Sequence, residues 1–179
     1  DVSLLNVTGS GMVGVPGISS RLFGVLARHK VNIILITQAS SEHSICFATA
    51  PQDSYRAKMA IEEEFEPEMA AHRMNPVMVE NGLSIVAIIG ENMKSRPNIS
   101  GKLFGALGKN GINVSAIAQG SSELNLSVVI HTKDLGKALN TLHEAFFLSD
   151  TKEVHLFMLG VGLIGSTLLN QIQAHNETL

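Results

Sequence analysis

A shift of 81 residues lays this sequence on itself without a gap. Ile18-Ser19 falls on Ile99-Ser100, and Leu22-Phe23-Gly24 falls on Leu103-Phe104-Gly105. Asn32 meets Asn113, Gln38 meets Gln119, Ser40-Ser41-Glu42 meets Ser121-Ser122-Glu123, Asp53 meets Asp134 and Phe65 meets Phe146. Twenty positions are identical between residues 3–65 and 84–146. Such a chain is a duplication, and any fold assigned to one copy must serve the other. Two copies are too few for a solenoid, so paired domains are expected, over residues 1–81 and 82–149, with 150–179 as a separate tail.

Each copy reads in the same order. Ser3–Thr8 and Ser84–Ile89 are apolar, β-branched runs that stop at Gly9 and Gly90, as strands do. A Gly/Pro-rich loop follows. Ile18, Leu22, Val25 and Leu26 then recur at helical spacing, matched by Ile99, Leu103, Ala106 and Leu107. Val31–Ile36 and Ile112–Ile117 read as buried strands, and Ser44–Thr49 and Asn125–Ile130 as strands of mixed polarity. Asp53 and Asp134 stand where N-caps belong, ahead of helices carrying Ala57, Ala60, Ile61 and Phe65 or Ala138, Leu142, Ala145 and Phe146 on one face. Met74–Val79 is the strand expected to close the first copy. The order β-α-β-β-α-β makes an antiparallel sheet with both helices on one face, an α+β unit. The other face needs a cover, from another copy or another subunit.

Composition narrows the function. Hydrophobic residues make up 45% and charged residues 16%, well below the usual charged quarter, so the chain can bury a core and an interface. Net charge is −3, with no basic stripe for nucleic acid and no Lys/Arg cluster for a membrane surface. No Trp and a single Tyr argue against base stacking. The lone Cys46 excludes an internal disulfide and fits a reducing, cytoplasmic setting. The run Val154–Gly165 is too short to span a bilayer, and no signal-peptide pattern opens the chain. Both ends, Asp1 and Leu179, read as cuts in a longer protein.

Two stretches fit G-x-G-x-x-G. Gly9-Ser10-Gly11-Met12-Val13-Gly14 reads as a strand–helix loop, because its repeat partner Gly90–Ser95 keeps only the first Gly and Pro16 separates the third from the helix. Gly160-Val161-Gly162-Leu163-Ile164-Gly165 follows the strand Val154–Leu159 directly and runs into a helix over Ser166–Gln173. That is the setting of a dinucleotide-binding turn, although an ordinary Gly-rich turn has the same local pattern.

No catalytic constellation is present. The seven His residues show no metal-ligand spacing, Glu62-Glu63-Glu64 reads as a solvated helix face, and Cys46 sits mid-strand as a core residue. The polar residues that stand out are Asn32 and Asn113 at apolar strand starts, and Gln38 and Gln119 at apolar strand ends. Such amides either satisfy turn backbones or form a small site. In the second case they would work with Val15-Pro16-Gly17-Ile18 and Pro97-Asn98-Ile99, whose helix-start N–H groups favour an anion. The pair would suit a small zwitterion.

These segments resemble the paired ACT domains of aspartokinases. The resemblance rests on Met12–Ile18, Asn32–Glu42, Ile112–Glu123 and Leu142–Phe147, and covers roughly residues 1–150. It implies two ferredoxin-like units that bind an amino-acid effector and pair into a homo-oligomer. The stretch Val154–Gly165 looks like the opening strand and NADP loop of homoserine dehydrogenase, the start of a truncated Rossmann βα segment. The parent is thus similar to the bifunctional aspartokinase–homoserine dehydrogenases. For that parent the resemblance implies ATP at an upstream kinase, NADP at Gly160, Gly162 and Gly165, and feedback inhibition by L-threonine through Gln38, Gln119, Asn32 and Asn113. The region itself would hold no cofactor or metal. A lysine-sensing region of a simple aspartokinase, or a ligand-free dimerisation module, are the alternatives. The second loop, Met93-Lys94-Ser95-Arg96, is more basic than Met12-Val13-Gly14-Val15, so the two sites are expected to differ.

Overall fold

The computed structural model describes residues 1–38, 42–90, 93, 98–119, 125–147 and 162–174. They fall into two bodies, Asp1–Leu148 and Ser149–Leu179. The first contains β1 (Val2–Thr8), α1 (Ile18–Arg28), β2 (Ile33–Gln38), β3 (Ser44–Thr49), α2 (Ser54–Glu64), a short α3 (Glu66–Ala70), β4 (Met78–Ile89), α4 (Ile99–Lys109), β5 (Val114–Ala118), β6 (Asn125–His131) and α5 (Leu135–Phe147). The second contains α6 (Leu163–Ala174). Val154–Leu159 and Gly160 lie outside the described residues.

The strands form one six-stranded sheet in the order β2-β3-β1-β4-β6-β5, antiparallel throughout. The first half has the expected ferredoxin-like order, the second has its first three strands among the described residues, and the halves are not joined by a linker. Where the sequence suggests two strands, Met74–Val79 and Ser84–Ile89, one strand runs from Met78 to Ile89. Its first half pairs with β1 and its second half with β6. The boundary between residues 81 and 82 therefore falls inside a strand. Pro76 explains the later start, since it has no N–H to give to a ladder. Residues 74–77 still pack inward: Met74 and Val77 are buried in the first core, and the Asn75 N–H donates to the Thr8 carbonyl at 2.9 Å.

Midway along β4 the register slips. Val2 faces Leu83 and Leu4 faces Glu80, so Asn81 and Gly82 together oppose Ser3. Gly82 takes φ 71°, the left-handed conformation that glycine adopts without steric cost in a β-bulge. The buried Ser3 hydroxyl donates to Asn81 Oδ1 at 2.6 Å and closes the bulge. Matching slips at Ile34 in β2 and Ser115 in β5 occupy repeat-equivalent positions. They turn Leu35 and Ala116 inward and leave Ile34 and Ile36 each 48% exposed, so β2 is a half-open edge strand where the sequence pattern suggests full burial.

Three cores result. Leu5, Val7, Leu22, Leu26, Phe47, Ile61 and Phe65 fill the space between the first half-sheet and α1 and α2. Val86, Leu103, Leu107, Leu126, Val128 and Leu142 do the same beneath α4 and α5. The third core lies on the opposite face and draws Val2, Leu4, Leu35 and Ala48 from the first copy and Leu83, Ala116 and Val129 from the second. The edge strands β2 and β5 touch. In a flat sheet five spacings of about 4.8 Å would hold them about 24 Å apart, so the sheet curls until its inner faces cover each other. The expected cover is the other copy, within the same chain.

The acidic run on α2 is structural rather than merely solvated. Glu62 accepts a hydrogen bond from the Val77 N–H at 3.1 Å and ties residues 74–77 to the helix. Glu64 pairs with Arg21 and Arg28, and Arg21 also holds Glu68 at 2.5 Å while lying over the Phe65 ring. Asp53 precedes α2 as expected, but its carboxylate pairs with Arg56 and makes no side-chain cap bond.

The hydrogen bond from Arg21 holds the Glu68 carboxyl below the usual carboxylate range. A carboxylate whose folded pKa is depressed stabilises the fold fully above its unfolded pKa, about 4.3, and ceases to as pH falls through the folded value. Glu68→Gln should therefore lower the denaturation midpoint at neutral pH, and the gap to wild type should close in acid. A second test concerns backbone approach. A Cβ on Gly9 would sit 2.3 Å from the Arg73 carbonyl oxygen, whereas one on Gly105 in α4 meets nothing within 4 Å. Chemical denaturation should show Gly9→Ala destabilised by about 1–3 kcal/mol and Gly105→Ala stabilised by about 0.5–1 kcal/mol.

Candidate functional site

The loop between β1 and α1 bonds most of its own N–H groups, and among the described residues no side chain caps the start of α1. Gly17 sits at the N-cap of α1 with φ 89°, and no side chain caps the helix. The Gly17 carbonyl takes the Arg21 N–H at 2.9 Å, starting the helical ladder, while the N–H groups of the first turn have no partner within the helix. In the second copy Asn98 holds the same place with φ 71°. Gly and Asn are the residues that tolerate this left-handed position best, which is why this loop shape persists in both copies although the sequences differ.

These donors open onto a cavity of about 650 Å³. It is lined by Met12, Gly14, Val15, Pro16, Gly17, Ile18, Ser19, Ser20, Gln38, Glu42 and Ile45. Val15, Pro16, Gly17, Ile18 and Gln38, singled out from the sequence, are thus brought together. β2 does this by ending at Gln38 beside the α1 start, on the helix-bearing side of the sheet. Asn32 does not join them. It is exposed just before β2, about 20 Å of extended chain from Gln38.

Asn98 and Ile99 open α4, Asn113 is exposed before β5, and Pro97 lies outside the described residues. Gln119 follows β5 and lines a smaller groove with Ile34, Leu35, Ile36, Ile85, Ala118, Asn125 and Ser127, so β2 of the first copy forms one of its walls. In the tail, Gly162 caps the start of α6 by accepting the Ser166 N–H at 2.9 Å, and Gly165 lies within that helix.

Sequence reasoning missed Glu42 as a wall of the cavity, placing it only in the turn before β3. Its repetition as Glu123 was the available signal. Glu42 has φ 54°, and its carboxylate accepts the Gly14 N–H at 2.9 Å. Burial, with Glu80 nearby, pushes the Cys46 thiol up to about 11, so it stays protonated and unreactive at neutral pH. Among the described residues no group of His, Cys, Asp and Glu could hold a metal, and no helix is long and apolar enough to cross a membrane.

The fold is a duplicated ferredoxin-like unit with an uncapped helix start over a small cavity. The ACT domain model matches residues 5–65 and 86–146, and the chain belongs to that family. It is 44% identical over its whole length to a bifunctional aspartokinase/homoserine dehydrogenase, chloroplastic, of Zea mays, and spans 19% of that relative. Its fold matches the regulatory subunit of aspartate kinase from Thermus thermophilus, ligand free, with a TM-score of 0.68 and 26% identity, over 82% of this chain and 93% of that one. It also matches Escherichia coli aspartokinase III in complex with lysine and aspartate, with a TM-score of 0.61 and 27% identity, over 82% of this chain and 31% of that one. The paired ACT architecture expected from the sequence is present.

The left-handed position gives a direct test. Gly17→Asn, which copies the second repeat, should change stability by less than about 1 kcal/mol, whereas Gly17→Val should cost about 1–2 kcal/mol or more in thermal unfolding.

Proposed function

We propose that this region senses L-threonine and imposes feedback inhibition on an aspartokinase joined to a homoserine dehydrogenase. The observation that carries the reading is the convergence of Gln38 with the unpaired helix-start N–H groups around one cavity. The N–H groups suit the effector carboxylate, and the Gln38 amide suits a small polar side chain through either its donor or its acceptor. Threonine would regulate only through differential affinity for two arrangements of the paired units, a coupling typically on the order of 1–3 kcal/mol.

The parent would carry ATP at its kinase and NADP at its dehydrogenase, with Gly160, Gly162 and Gly165 in the dinucleotide turn. The exposed Leu163, Ile164, Leu168 and Leu169 of α6 support this, because a Rossmann sheet would cover them. Homo-oligomer formation is supported by the half-exposed Ile34 and Ile36 on edge strand β2. The lone Cys46 favours a reducing compartment, cytoplasmic or, by analogy with the maize relative's name, chloroplastic. L-lysine is the second reading, favoured by the name of the Escherichia coli structure.

Calorimetric titration with L-threonine, and with L-lysine in parallel, decides between them. Threonine should give saturable heat, and Gln38→Ala should weaken it about tenfold or more with the melting temperature preserved. Gln119→Ala, measured alone, reports whether the second copy binds. Heat from lysine alone would transfer the reading to lysine, and silence with both would leave a pairing module.

A further inference from the structure

We infer that Glu42 recognises the ammonium group of the effector, and that its negative charge disfavours amino acids with a second carboxylate. This rests on the effector reading of the cavity. Glu42 is the one charged side chain among the described residues lining it. The nearest cation along α1, Arg21, is engaged by Glu64, Glu68 and the Phe65 ring, so it does not neutralise this carboxylate. Oε2 is held by the Gly14 N–H at 2.9 Å, which fixes the group on the loop and leaves Oε1 able to accept further hydrogen bonds. Glu42 holds this place with φ 54°, a conformation that costs a non-glycine residue energy and that the surroundings must impose.

The cavity thus has two complementary ends. The uncapped start of α1 offers N–H donors to a carboxylate, and Glu42 offers one negative charge to a cation. A zwitterion offers a partner to each end. A ligand with a second carboxylate meets Glu42 as a like charge. Gln38 is neutral and can serve a hydroxyl or amide without demanding charge.

The test is calorimetry on wild type, Glu42→Gln and Glu42→Asp, with L-threonine, L-lysine, L-aspartate and 3-hydroxybutyrate, which is threonine without its amino group. Glu42→Gln preserves size and can still accept the Gly14 N–H. It should bind threonine at least about tenfold more weakly than wild type, with Glu42→Asp recovering part of the loss. The 3-hydroxybutyrate affinity should be the same in wild type and Glu42→Gln, since that ligand has no ammonium to lose. Unchanged threonine affinity in Glu42→Gln, or an equal loss for both ligands, would overturn the role of Glu42 while leaving the effector reading intact. Wild type binding L-aspartate as tightly as L-threonine would overturn the exclusion of a second carboxylate. Absence of threonine and lysine heat in wild type would overturn the effector reading, and this inference with it.

Discussion

The structure depends on one shared strand. β4 supplies the closing edge of the first copy and the opening strand of the second, so hydrogen bonds to β1 and to β6 issue from a single extended backbone. Without a linker, the relative position of the copies is set by strand pairing rather than by side-chain docking. The twist of the sheet then brings β2 and β5 together and forces the two inner faces into one core. Each copy alone would expose half of that core, including Leu4 and Ala48 on one side and Leu83 and Val129 on the other. The apolar composition of the chain, with few charges to spare, is what a fold with three cores in so short a length requires.

The same constraint places the cavity. β2 ends at Gln38 where α1 begins, because the antiparallel half-sheet returns the chain to the edge from which β1 left. The Gly9 backbone presses against Arg73 and Met74, and Glu62 anchors Val77, so the floor beneath the loop is fixed from two sides. A floor fixed in this way would lower the ordering cost of binding at the proposed site.

Much of this was legible in the sequence, for physical reasons that can be traced. The 81-residue shift survives because both copies need the same glycine or asparagine at the helix start and the same apolar spacing on α1 and α4. Gln38 was visible because an amide ending an apolar strand is out of place unless something uses it. The continuity of β4 was not visible. Asn81-Gly82 is a pair that commonly turns a hairpin, and here it makes a bulge, since Ser3 is available to satisfy Asn81 and tertiary pairing on both sides outweighs the local preference. The exposure of Ile34 and Ile36 was hidden for a similar reason: a one-residue slip against β3 reverses which side chains face inward, and a run of isoleucines looks the same in either register. Asn32 drew attention as a repeated amide at an apolar strand start, and a repeated amide there marks a shared turn as readily as a shared site. Glu42 lay in plain view, but a charged residue in a turn carries no signal until the loop opposite is known to contact it.

The continuous strand has a consequence for how such a region can change over evolutionary time. Since β4 cannot be divided and the inner core belongs to both halves, the smallest portable cassette is the pair. Gene fusion can append this cassette to an enzyme, or insert an enzyme after it, but cannot trade one half for another without unzipping the sheet. Each half, being permanently escorted by its twin, is free to drift at its own loop. The basic Met93–Arg96 and the uncharged Met12–Val15 are then two loop sequences carried on one scaffold.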